Sequence, residues 1–212
     1  MLITISGLSG SGKSTAAKGI SKALGIPTVD VGKIFRTMAA KRGMDVVEFG
    51  KYVEKHPDID RELDAAMLQL SKRRKRLILQ SRLAGLMTAK AGLKAVRIWI
   101  TATARTRASR VSRREGVPFR KALADITRRD RDNRTRYMGT YGLDLNDLSV
   151  YDIVVRTDNL TLEEVVSCLV KELTHVWPKR RKSPQPRPPK AGPPRAEKTS
   201  RSKPLKRPPQ KR

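Results

Sequence analysis

Gly7-Leu8-Ser9-Gly10-Ser11-Gly12-Lys13-Ser14 matches G-x-x-x-x-G-K-[S/T], the pattern of a loop that cradles phosphate. Glycines are needed there because successive backbone N–H groups turn inward around phosphate oxygens, where side chains would obstruct them. A helix starting at the loop aims its positive dipole end at the same anion. Lys13 suits the β- and γ-phosphates of a nucleoside triphosphate, and the Ser14 hydroxyl suits the shell of a magnesium ion. The expected triphosphate-binding residues are Gly7, Leu8, Ser9, Gly10, Ser11, Gly12, Lys13, Ser14 and Thr15, with Lys13 also catalytic.

Such a loop must lie between a strand and a helix, and the flanks supply both. An apolar run, Leu2–Ser6, precedes it; Ala16, Ala17, Ile20, Ala23 and Leu24 recur after it at helical spacing. Further strands are expected at Thr28–Val31, Arg76–Gln80, Ala95–Thr101 and Asp152–Arg156. Amphipathic helices are expected at 33–41, 46–54, 59–72, 83–90, 105–114 and 119–137, with a last one capped by Thr161 and Glu164. Strands alternating with helices predict an α/β fold: a parallel sheet of about five strands, helices on both faces, and ligands at the carboxyl ends of the strands. Residues 32–74 and the arginine-dense 105–139 are longer than crossovers require. They suit an acceptor-binding flap and a closing lid, since phosphoryl transfer must be shielded from water.

The chain has 212 residues and a net charge of +27. From Lys179 onward there are fourteen Lys or Arg and one acid, Glu197, and ten of the thirteen prolines fall at or after Pro178. A segment with so little to bury does not offset its ordering entropy, so 178–212 is expected to be a disordered basic tail on a folded unit of 1–177. That tail suits non-specific contact with nucleic acid or acidic surfaces. Cys168 is the lone cysteine, which excludes an intrachain disulfide, and His56 and His175 have no zinc-site spacing. No apolar run approaches the ~18 residues of a membrane span. The expectation is a soluble, cytoplasmic protein without a cleaved leader.

Five further blocks follow the loop in order. They are Asp30-Val31-Gly32-x-x-Phe35-Arg36, Ser81-Arg82-Leu83-Ala84-Gly85, Arg107-x-x-Arg110-Val111-x-Arg113-Arg114-Glu115-Gly116, Arg136-Tyr137…Tyr141-Gly142-Leu143-Asp144, and Asp147-Leu148-Ser149-Val150-Tyr151-Asp152. With the loop, this arrangement resembles the archaeal type of cytidylate kinase, over about residues 1–175. The resemblance implies a P-loop nucleoside monophosphate kinase that phosphorylates CMP and dCMP from ATP with Mg2+. It implies an acceptor site at Gly32, Arg36 and Arg82, because a planar guanidinium grips a dianionic phosphate bidentately. Among the lid arginines, Arg107, Arg110 and Arg114 share one helix face, as do Arg129 and Arg136 on the next. The resemblance implies that some of them stabilise the transferring phosphoryl group, and Arg110, Arg129 and Arg136 are the candidates, with Arg82, for catalysis.

One position departs from the family. Where an acid is usual two residues before Arg82, this chain has Gln80, so Asp30, ending the second strand, is expected to take over with Ser14 in holding magnesium; its other reading is a helix cap. Asp58, Asp60 and Asp64 are expected to pair with Arg61 on a helix surface, although a cytosine amino group would also suit them. Tyr137 and Tyr141 suit either a base stack or the core beneath the lid, and Trp99 suits the core. Two alternatives stay open: a kinase of the same fold with another acceptor (UMP, AMP or a small metabolite), and a nucleic-acid-associated protein with a degenerate kinase site.

Overall fold

The computed structural model describes residues 1–182. Five strands, β1 (Leu2–Ser6), β2 (Thr28–Asp30), β3 (Leu77–Gln80), β4 (Val96–Thr101) and β5 (Ile153–Arg156), form one parallel sheet in the order β2-β3-β1-β4-β5. Side chains alternate across each strand, and both faces are covered. Leu2, Leu77, Leu79 and Trp99 point into one apolar cluster, while Ile3, Ile5, Ile78, Ile98 and Ile100 point into the other.

Helix α1 (Lys13–Leu24) packs on the second cluster beside the last helix, α8 (Leu162–Lys182). Their close approach needs Gly19, where a Cβ would run into the Val166 side chain. The opposite face carries α5 (Ala84–Lys90), whose Gly85 lies against the Tyr151 ring: a Cβ there would sit 2.7 Å from Cζ. The expected capping box of α8 is present, with Glu164 N–H donating to Thr161 Oγ1 at 3.2 Å and Thr161 N–H to Glu164 Oε2 at 2.7 Å.

The two long excursions are helical. The flap consists of α2 (Val31–Lys41), α3 (Val46–Lys55) and α4 (Pro57–Arg73), joined around Phe49, Val53 and Phe35. The lid is a pair, α6 (Ala104–Glu115) and α7 (Phe119–Tyr141), closed by Ala108, Val111, Ala122 and Ile126. Predicted and observed ends agree within a few residues except at α8, which runs through Pro178 to Lys182, beyond the expected boundary at 177. Its apolar face, Val165, Leu169 and Leu173, anchors it on the sheet, and the change of composition at Pro178 does not end it. The rest of the expected tail, 183–212, lies outside the described residues. Among the described residues no helix is long and apolar enough to cross a membrane.

Candidate active site

The carboxyl ends of β1, β2 and β3 open into a cleft of about 880 Å³ between flap and lid. The loop after the central strand β1 forms its floor. Gly10 takes φ +78°, and a Cβ there would lie 2.6 Å from the Arg107 carbonyl oxygen, so α6 can rest on the loop only if this residue is glycine. Gly7 is held likewise against the Ile100 carbonyl. Lys13 Nζ donates to the Leu8 carbonyl at 2.7 Å. Burial, with Arg82 next in effect, pushes its ammonium down to about 7; Asp130 and Asp30 oppose that shift.

Arg82 follows β3, and its Nη2 donates to Ser9 Oγ at 2.6 Å, setting the guanidinium directly against the loop. Arg36, on the first turns of α2, faces Asp30 across 3.6 Å and stays half exposed at the cleft edge. Gly32 keeps the space between Asp30 and Arg36 open: a Cβ would lie 3.2 Å from Asp30 Oδ1 and 3.4 Å from Arg36 Nη1. Asp30 does both things considered for it. Its Oδ1 accepts from Lys33 N–H as the cap of α2, and its carboxylate also lines the cleft beside Gln80, its partner in the β2–β3 register. Gln80 Nε2 donates to Ser14 Oγ at 2.7 Å.

The lid arginines separate by role. Arg107 is buried and structural: it donates to the Ser9 carbonyl at 3.1 Å and meets Asp130 at 2.7 Å. Arg110 lines the cleft and fastens the loop to the end of β5, donating to the Ser11 carbonyl at 3.3 Å and to Thr157 Oγ1 at 2.9 Å. Arg129 lines it near Glu115, 3.9 Å away. Arg136 is buried under the flap, 3.2 Å from Asp60, with its guanidinium over the rings of Phe35 and Tyr137.

One expectation is corrected here. Asp58 is exposed, but Asp60 and Asp64 are buried, line the cleft, and do not pair with Arg61. Asp64 accepts from the Tyr141 hydroxyl at 2.6 Å, and burial pushes its carboxyl up to about 6. Neighbours in sequence do not face each other on a helix, so Arg61 points to solvent while the i, i+4 pair turns inward. Tyr137 belongs to the buried cluster and Tyr141 packs against it; Trp99 is core, tilted against Tyr151. Thr157 and the apolar Leu160 and Leu162, which also line the cleft, carried no recognisable motif.

The sequence model of the cytidylate kinase-like family matches residues 2–159. The chain belongs to that family. It is 42% identical over 178 residues to a cytidylate kinase of Pyrococcus horikoshii, covering 84% of this chain and 91% of that one. It is also 42% identical over 170 residues to a cytidylate kinase of Halorubrum lacusprofundi, covering 80% and 88%. Among solved structures, an uncharacterized protein from Eubacterium ventriosum matches with a TM-score of 0.63 at 18% identity, over 82% of this chain and 98% of the other. A shikimate kinase from Bacteroides thetaiotaomicron matches with 0.54 at 13%, over 82% and 98%. At these identities the two structures establish the fold alone.

For a cytidylate kinase-like chain the oxygens at the loop bear on metal binding. Among the described residues no cluster of three or more His, Cys, Asp or Glu could hold an ion unaided. Ser14 Oγ and the Asp30 carboxylate are hard oxygen donors on the cleft wall, and magnesium takes few protein ligands beside phosphate and water, so these residues fit it.

Proposed function

We propose that this chain transfers the γ-phosphoryl group of ATP to CMP or dCMP, giving CDP or dCDP and ADP. The observation that carries this reading is Arg82 against Ser9: a guanidinium suited to an acceptor phosphate, fixed on the loop suited to the donor. Family membership supplies the pyrimidine acceptor.

Backbone N–H groups of Gly7 to Thr15 hold the donor phosphates, and Lys13 leaves the Leu8 carbonyl to pair with β- and γ-oxygens. Gly32 gives the acceptor phosphate room to lie between Arg36 and Arg82, in line with the γ-phosphorus. Arg110, Arg129 and Arg136 surround the transferring group with positive charge. Catalysis then consists of positioning and charge neutralisation, with an acceptor phosphate oxygen as nucleophile. Ser14 and Asp30 would hold magnesium, which when bound supplies further neutralisation of the phosphates.

The test is Lys13→Ala in an ADP-release assay with ATP and CMP. Turnover should fall more than tenfold with the fold retained, and a smaller loss would leave less than ~1.4 kcal/mol at this residue and contradict the assignment. We further propose that the kinase unit ends with α8 and that residues 183–212 are a separate basic segment, dispensable for turnover. A chain ending at Lys182 should keep its kcat and elute from a nucleic-acid column at lower salt.

A further inference from the structure

Asp60 and Asp64 stand one turn apart on α4, 4% and 6% exposed, and both line the cleft. Buried carboxylates are costly unless their oxygens are satisfied. Asp64 is occupied by the Tyr141 hydroxyl at 2.6 Å. Asp60 is not satisfied in the same way. Its Oδ2 lies 3.2 Å from Arg136 Nε, yet both atoms are buried without a hydrogen bond of acceptable geometry. The charges compensate each other while an acceptor and a donor are left side by side. The other nitrogens of Arg136 are engaged, with Asn133 Oδ1 at 3.1 Å and the Tyr137 hydroxyl at 3.0 Å, so the guanidinium is held in place.

The surroundings suit a flat ring. Phe35, Leu63 and Tyr137 supply apolar walls, and Phe35 directly precedes Arg36, assigned above to the acceptor phosphate. An apolar pocket with a few convergent polar groups is the usual form of a site for a small organic ligand.

We propose that Asp60, with Arg136 beside it, reads the pyrimidine edge of the acceptor: the carboxylate accepts from the 4-amino group of cytosine, and the guanidinium donates to the adjacent ring nitrogen. This rests on the nucleotide-kinase reading above. Uracil presents an oxygen in place of the amino group and an N–H in place of the ring acceptor, so both contacts become repulsive. A site built to hydrogen-bond a group discriminates strongly against an analogue that lacks it, because its buried polar atoms are then left unpaired. Adenine carries the same donor–acceptor order, so the pair separates amino from keto bases and leaves ring size to the walls.

The experiment compares kcat/KM for CMP, UMP and the 5′-monophosphate of pyrimidin-2-one riboside, which is cytidine without its amino group. The wild type should favour CMP over the des-amino analogue at least tenfold, mainly through KM. Asp60→Asn can present either amide oxygen or amide hydrogen, and should narrow the CMP-to-UMP ratio at least fivefold with the KM for ATP unchanged. If Asp60→Asn does not fold, Asp60→Glu, which keeps the charge but moves the oxygens by a methylene, is read by the same ratio. A smaller preference in the wild type, or a smaller change of ratio in the folded variant, overturns the assignment. A wild type that phosphorylates neither CMP nor UMP overturns the kinase reading itself, and this inference with it.

Discussion

Gln80 Nε2 donates to Ser14 Oγ at 2.7 Å, so an amide faces the hydroxyl that begins α1 from the end of the neighbouring strand. An acid at that position would accept from Ser14 or from magnesium-bound water; an amide nitrogen does neither. The adjacent carboxylate is Asp30, level with Gln80 across β2 and β3. Gln80→Glu is therefore expected to lower the magnesium concentration for half-maximal rate. Asp30→Asn keeps a good cap on α2 while removing the charge, and is expected to raise it. Rates measured across a magnesium titration check both, and an unchanged half-maximal concentration in Asp30→Asn would return that residue to helix capping alone.

Arg36 and Arg82 approach the proposed acceptor phosphate from different elements, α2 and the turn after β3. Replacing either by Ala removes charge-assisted hydrogen bonds worth roughly 1.5–3 kcal/mol, about ten- to a hundredfold in kcat/KM for CMP. The KM for ATP should change less. Arg82→Lys should recover little, because a point charge does not reproduce a planar fork. Initial rates with CMP as the varied substrate measure these effects, and unaltered CMP kinetics in both Ala variants would contradict the acceptor assignment.

Free of nucleotide, Lys13 titrates near 7 instead of 10.5, because it is buried and close to Arg82. Its folded-state value is lowered, so between about pH 7 and 10.5 the unfolded chain holds a proton that the folded chain has released. Stability contributed by this group therefore rises with pH across that window, and its cost is greatest below pH 7. Lys13→Met is expected to melt higher than the wild type at pH 6.5, with the difference shrinking by pH 9.5. Melting curves at the two pH values decide, and a difference independent of pH would show that Lys13 keeps an ordinary proton affinity.

How far the site could be read in advance followed the distance over which each feature is encoded. The phosphate loop is local: strand, glycines, lysine and helix are contiguous, and β1 and α1 have the expected ends. The flap and lid announced themselves by length and by arginine spacing. Asp60 and Asp64 were misread because the wall of a polar cleft has the composition of a solvated surface. Only the lid helix α7, more than seventy residues away, buries them with Arg136 and Tyr141. The available signal was their i, i+4 spacing, which excludes Arg61 as a partner for Asp60 on the same face. The split between structural Arg107 and cleft-lining Arg110, three residues apart on α6, depends on Asp130 and Thr157, which no local pattern identifies.

The most direct measurement is an acceptor panel: ATP with CMP, dCMP, UMP, AMP and GMP in turn, followed by ADP release. CMP or dCMP should be turned over with kcat/KM at least tenfold above every other monophosphate. A faster reaction with UMP, AMP or GMP, or no ADP release above background with any of the five, would contradict the account.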